Sequence, residues 1–244
     1  DDFEASLRKA QRRFDEAVAL LEQVYRAYLR LGERHLAGRA LMKRGITLEL
    51  SGKSDEAIRS LQQAVSLMDA DRDPKLLAAA QHSLLKTLVD CGRLKEASRL
   101  LLQSGLRQKF ADDPLNLLRL RWVEAKILAG HGRLENAEEA FRAVYWGFHQ
   151  RELHYVAAVA GLDLAEVLLR QAKHAEAHAL AVDLYDTFQE RRIDVEAQRA
   201  LMTFEVVCSV QAATPTIARR IGEFLDRRQH NPTLLFEPLG ILYG

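Results

Sequence analysis

Ala17, Ala57, Ala97, Ala137 and Ala177 stand 40 residues apart without a slip, and each closes a version of one phrase. The phrase reads RRFDEA from Arg12 to Ala17, GKSDEA from Gly52 to Ala57 and GRLKEA from Gly92 to Ala97. It returns as GRLENA from Gly132 to Ala137 and AKHAEA from Ala172 to Ala177. A fixed period of this size marks stacked supersecondary units, because one unit alone cannot bury its apolar face. Around the phrase the apolar residues keep helical spacing: Leu41, Ile46, Leu48 and Leu50 before the turn, then Ala57, Leu61, Ala64, Val65 and Met68 after it. Each unit therefore reads as two helices of about 18 residues joined at a turn. Glycine suits that turn because the chain must leave the first helix through a left-handed conformation. The alanine that follows is small enough to let antiparallel helices approach closely.

The expected fold is all-α, a right-handed α-solenoid of antiparallel helix pairs. Its helices are predicted at 3–31, 34–51, 54–70, 74–91, 94–110, 114–131, 134–149, 153–171, 174–190, 194–211 and 215–229. Residues 3–31 carry the second-helix phrase with no turn glycine before it, so they read as one long helix or a truncated first unit. Gly105 and Gly147 fall inside predicted helices and point to a local break or a tight contact. Pro215 opens a last helix whose Arg219, Arg220, Arg227 and Arg228 make a polar cap. Residues 1–230 form a single domain with units near 1–31, 34–70, 74–110, 114–149, 153–190 and 194–229. Residues 231–244 are an apolar tail, interrupted by Pro238 and Gly240, that is not a regular helix.

Composition removes several functions. Lys+Arg of 35 against Asp+Glu of 34 leaves a net charge of +1, so no global field draws the chain to nucleic acid or to an anionic membrane. No run approaches the roughly 20 apolar residues of a membrane span. Cys91 and Cys208 form no Cys-x-x-Cys pair, which argues against a disulfide framework or a zinc site and for a reducing, cytoplasmic setting. The chain begins Asp1-Asp2 with no Met, and is expected to be a piece of a longer protein.

The repeating residues resemble the tetratricopeptide repeat. Gly45, Leu48, Gly52, Ala57, Leu61 and Ala64 match that family's pattern in one unit, and Leu88, Gly92, Ala97 and Leu101 in the next. Ala125, Leu128, Gly132, Ala137 and Phe141 follow, then Ala165, Leu168 and Ala177, where Ala172 replaces the turn glycine. The resemblance covers roughly residues 10–211. The period of 40 exceeds the family's usual length, as in its long-helix variety, and Leu41, Gln81, Arg121 and Gly161 stand where an aromatic residue is common.

No catalytic, cofactor or metal site is expected. Ser51-Gly52-Lys53-Ser54 ends like a phosphate-binding loop, but Thr47 stands where the motif needs its first glycine. His174 and His178 lie one helical turn apart without a third ligand, and read as a solvated pair. Cys208 takes a slot filled elsewhere by leucine and reads as core.

The resemblance implies a concave groove lined by the first helix of each unit. Those positions here are Arg39, Met42, Lys43, Ile46 and Glu49, then His82, Ser83 and Lys86, then Arg119, Trp122, Val123 and Lys126. They end with Leu162, Asp163, Glu166, Arg199 and Met202. Exposed aromatic and arginine side chains are common interface anchors, and the basic first half suits acidic side chains or a terminal carboxylate. The expected function is a non-enzymatic scaffold or sensor region of a larger cytoplasmic regulator, with a protein or peptide in the groove. The alternatives are self-association through the tail, around Leu234, Leu235, Phe236 and Leu239, or through the array's ends, and an accessory region of an enzyme encoded upstream.

Overall fold

Arg12 has φ +60°, and the same left-handed backbone returns at Gly32, Gly52, Gly92, Gly132, Glu152, Ala172 and Arg192. The chain is thus paced at half the alanine period. In this computed structural model, which describes residues 2–238, every such residue ends a helix with the same pair of hydrogen bonds. Gly52 N donates to Glu49 O at 2.9 Å and Lys53 N to Leu48 O at 2.9 Å. Ala172 N donates to Leu169 O at 3.1 Å and Lys173 N to Leu168 O at 2.9 Å. These bonds satisfy carbonyls that the helix end would otherwise leave without partners.

Two turns, near residues 72 and 112, are built differently. There Asp73 and Asp113 cap the next helix, accepting from Leu76 N at 2.9 Å and Asn116 N at 3.0 Å. Pro74 and Pro114 occupy the first helical position, where the missing amide is not needed.

The described residues form thirteen helices. They are α1 (Asp2–Ala10), α2 (Phe14–Arg30), α3 (Arg34–Leu50), α4 (Ser54–Leu67), α5 (Pro74–Asp90), α6 (Leu94–Ser104) and α7 (Leu106–Lys109). There follow α8 (Pro114–Gly130), α9 (Leu134–His149), α10 (His154–Arg170), α11 (His174–Glu190), α12 (Val195–Ser209) and α13 (Pro215–His230). No strand occurs among these residues. The chain divides into two compact units, residues 1–123 and 124–244, with the boundary inside α8.

In the first unit, residues 3–31, read as one long helix or a truncated first unit, are two helices. Arg12 takes the left-handed position that glycine holds elsewhere, so α1 is a shortened partner of α2. The helix expected at 94–110 breaks at Gly105, φ +60°, into α6 and α7. Helices α3 and α4 approach most closely where α3 has no side chain. A Cβ on Gly45 would lie 2.6 Å from Leu61 Cγ, and one on Gly38 would lie 3.0 Å from Ala64 O. Ser60 Oγ donates to Leu41 O at 2.9 Å across this contact. Leu41, Ala64, Met68, Leu77 and Ala80 form an aliphatic core between α3, α4 and α5.

The second unit fills its core with larger rings: Phe141, Phe148, Phe188 and Phe204 are fully buried. Gly147 does not interrupt α9. All five alanines of the 40-residue ladder, two of them here, are wholly buried. Helix α13 does not simply follow α12: it packs chiefly against α10 and thinly against α12. Ala218, Ile221, Gly222 and Leu225 are the buried side of α13. The described part of the tail folds back on this unit, with Phe236 buried against Phe224 at 5.1 Å between ring centroids. Phe236 N donates to Glu196 Oε2 at 2.7 Å, and the Arg228 guanidinium donates to the carbonyls of Pro232 and Leu234. Leu235 is exposed, and Leu239 lies outside the described residues.

Candidate groove site

The 40-residue spacing sets corresponding side chains of successive first helices side by side, and oppositely charged ones meet. Lys43 Nζ on α3 lies 2.6 Å from Asp2 Oδ2 on α1, with Arg39 3.9 Å from the same oxygen. Lys86 Nζ on α5 lies 2.6 Å from Glu49 Oε1 on α3 and 2.8 Å from Asp90 Oδ2. Thr87 Oγ1 donates to the other Glu49 oxygen at 3.2 Å. Burial opposes a charge on Lys86, but Asp90 and Glu49 outweigh it and raise its pKa above the ordinary lysine value. In the second unit Lys126 lies 3.6 Å from Asp163. Partners of this kind stand nearly one repeat apart, a signal present in the sequence that attention to single residues passed over.

His82 lies beside Lys86 on α5, its ring edge-on to Phe110 at 6.0 Å. Its Nε2 is buried without a hydrogen-bond partner. Burial pushes the pKa from 6.5 to about 4, a backbone contact with Arg119 opposes this, and the charges of Arg119 and Lys86 add to it. The imidazole is therefore neutral near pH 7, so the site's positive charge rests on lysine and arginine. Arg119 is exposed and donates to Asn116 Oδ1 at 3.2 Å. Arg39, Met42, Lys43, Ile46, Ser83 and Trp122 are half-buried, and Met42 also leans on the aliphatic core. The first unit thus presents a partly exposed stripe of cations and apolar side chains.

The stripe does not continue so in the second unit. Leu162, expected to line it, is buried, as is Val123 at the end of the first unit. A Cβ on Gly222 of α13 would lie 3.5 Å from Leu162 Cβ, and Arg219 of α13 forks onto Glu166 at 2.6 and 3.1 Å. Asp163 adds to the field at Arg219 and helps to raise its pKa. Helix α13 therefore lies over the α10 residues that sequence placed in the groove. Its small residues Ala218 and Gly222, one turn apart, are the sequence signal for such a close contact. Arg199 on α12 is paired with Glu196 at 3.0 Å, and it and Met202 lie on an exposed side of that helix.

The other chemical candidates are absorbed by the fold. Gly52 and Lys53 spend their amides on the helix-ending bonds described above, and Lys53 Nζ pairs with Asp15 at 2.7 Å. His178 Nε2 contacts Glu205 Oε1 at 3.3 Å, while His174 is exposed. Cys208 is buried, its thiol pushed up to about 12 by burial and by Glu205. Cys91 is half-buried at the end of α5.

These features define an all-α helical-repeat protein with a charged and apolar stripe along its first helices. Residues 4–70 match the model of the tetratricopeptide repeat family. Repeats of this family generally mediate protein–protein interaction. No curated protein matches the chain in a sequence comparison. No helix among the described residues is long and apolar enough to cross a membrane.

Proposed function

We propose that the chain is a non-enzymatic interaction module that holds a protein or peptide segment against the stripe of its first unit. The observation that carries this is the contrast between stripes: that of α3, α5 and the start of α8 is partly exposed, whereas that of α10 lies under α13. Met42, Ile46 and Trp122 supply apolar anchors. Arg39, Lys43, Lys86 and Arg119 frame them with positive charge, which favours an acidic segment. Lys43 and Lys86 already have close carboxylate partners and Arg39 stands 3.9 Å from Asp2, so such a ligand gains most from Arg119. Lys126, Asp163, Glu166 and Arg199 serve the fold more than the ligand in this reading. The free thiols of Cys91 and Cys208 support a reducing, cytoplasmic setting, and a place within a larger regulatory protein is part of the proposal.

The test is affinity capture with the native chain and with an Ile46→Glu/Trp122→Ala variant whose circular dichroism is unchanged. A bound protein retained by the native chain and lost by the variant supports the stripe. Equal capture by both places the binding surface elsewhere.

A further inference from the structure

The two sides of α12 meet different surroundings. Ala197, Ala200, Leu201, Phe204 and Cys208 are its buried side, and the helix packs against α11. Opposite them lie Val195, Arg199, Met202, Val206 and Val210, spaced by four, three, four and four residues, so that they form one stripe along the helix. Its apolar members are well exposed: Val195 69%, Met202 47%, Val206 51% and Val210 68%. Single exposed apolar residues are ordinary, but three in line on one helix, with Val210 at its C-cap, make a contiguous patch of the kind that marks interaction surfaces. Helix α13, the next in the chain, turns to α10 and leaves this side uncovered by the described residues.

We propose that this stripe pairs with the same stripe of a second copy, α12 against α12, antiparallel about a two-fold axis at Met202. The pattern is self-complementary under that axis. Met202 meets Met202, Val195 meets Val210, and the aliphatic stem of Arg199 covers Val206. No carboxylate interrupts the seam. Its one cation is already held by Glu196 of its own copy at 3.0 Å, and the two Arg199 residues stand about 10 Å apart along the helices, so like charges do not meet. One helix-to-helix seam buries a few hundred Å² per copy, less than the roughly 800 Å² of a standard interface, so the dimer is reversible and depends on concentration. This interface is separate from the proposed ligand stripe of the first unit, and either can fail without the other.

Sedimentation velocity of the full chain from micromolar to millimolar concentration reads the association, and cysteine cross-linking reads its register. In a Cys91→Ser background, Met202→Cys is expected to form a disulfide-linked dimer at least tenfold faster than Val195→Cys or Val206→Cys alone. A mixture of Val195→Cys and Val210→Cys chains is expected to cross-link as a heterodimer. Met202→Glu with Val206→Glu is expected to keep the mass of one copy at all concentrations, with an unchanged helical spectrum. If that variant does not fold, the cysteine pattern still decides. A native chain with the mass of one copy throughout overturns the proposal, as does cross-linking without preference for Met202. So does a dimer formed only after deletion of residues 239–244, since the stripe would then be covered by its own chain.

Discussion

The two units make the same turn from different residues. In the first, the left-handed positions at 32, 52, 92 and 105 are glycine, with Arg12 the exception. In the second only Gly132 is glycine, while Glu152, Ala172, Arg192 and Gln211 all carry a side chain at positive φ. A residue other than glycine pays roughly 1–2 kcal/mol for that backbone, so in the second unit the turn is imposed by the helices on either side of it. Those helices close on a core of four buried phenylalanines, and the unit places α13 over its own stripe. The first unit has an aliphatic core, close-fitting glycines on α3 and a stripe left partly exposed.

The largest expected effect is at α13. Ile221→Asp places a carboxylate in the fully buried contact on α10 and should cost about 3–5 kcal/mol. Hydrogen exchange at residues 158–166 should rise with it, while amides of α3 keep their protection. Next is the close approach of α3 to α4. Gly45→Ala drives a Cβ to 2.6 Å from Leu61 Cγ and 3.3 Å from Ala57 O, and should cost about 2–3 kcal/mol in chemical unfolding. Gly161→Ala on α10, in the repeat slot of Leu41 and not that of Gly45, meets only the Leu184 methyls and the Tyr145 ring, at 3.0 Å and beyond, and should cost about 1 kcal/mol or less.

His82 gives the first unit a pH dependence. Its folded pKa, about 4, lies below the ordinary 6.5, so the unfolded chain takes up the proton first as pH falls. Stability is complete above about pH 6.5 and should decline by roughly 2–3 kcal/mol as pH drops toward 4. His82→Phe should flatten that part of the profile. Smallest are the turns. Gly52→Ala should destabilise by about 1 kcal/mol, and Ala172→Gly should stabilise by a similar or smaller amount. Equal and opposite shifts in thermal midpoint would show that both turns hold the same geometry under different strain.

The period of the chain made most of the fold legible, because phase-locked alanines and helical spacing place each helix to within a few residues. Glycine was a reliable mark only in part: it located the breaks at Gly52, Gly92 and Gly105, but not the one at Arg12, where the backbone is set by packing and not by the residue's own preference. The candidate stripe was legible as a set of positions. Its ion pairs were less so, since Asp2 with Lys43 and Glu49 with Lys86 are visible only when residues about one repeat apart are compared. The fate of Leu162 and Glu166 was legible only as far as Ala218 and Gly222 mark a helix that packs closely against some neighbour. It depends on which helix α13 chooses, and a repeat pattern that has just ended carries no information about that choice.

The contrast between an open and a covered stripe is tested most directly by placing the photo-cross-linking residue benzoylphenylalanine at Ile46, Ser83 or Glu166, one at a time, with Arg59 on α4 as control. Partner adducts are expected from Ile46 and Ser83, and from neither Arg59 nor Glu166. Adducts formed as readily from Glu166, or only from Arg59, would contradict the account.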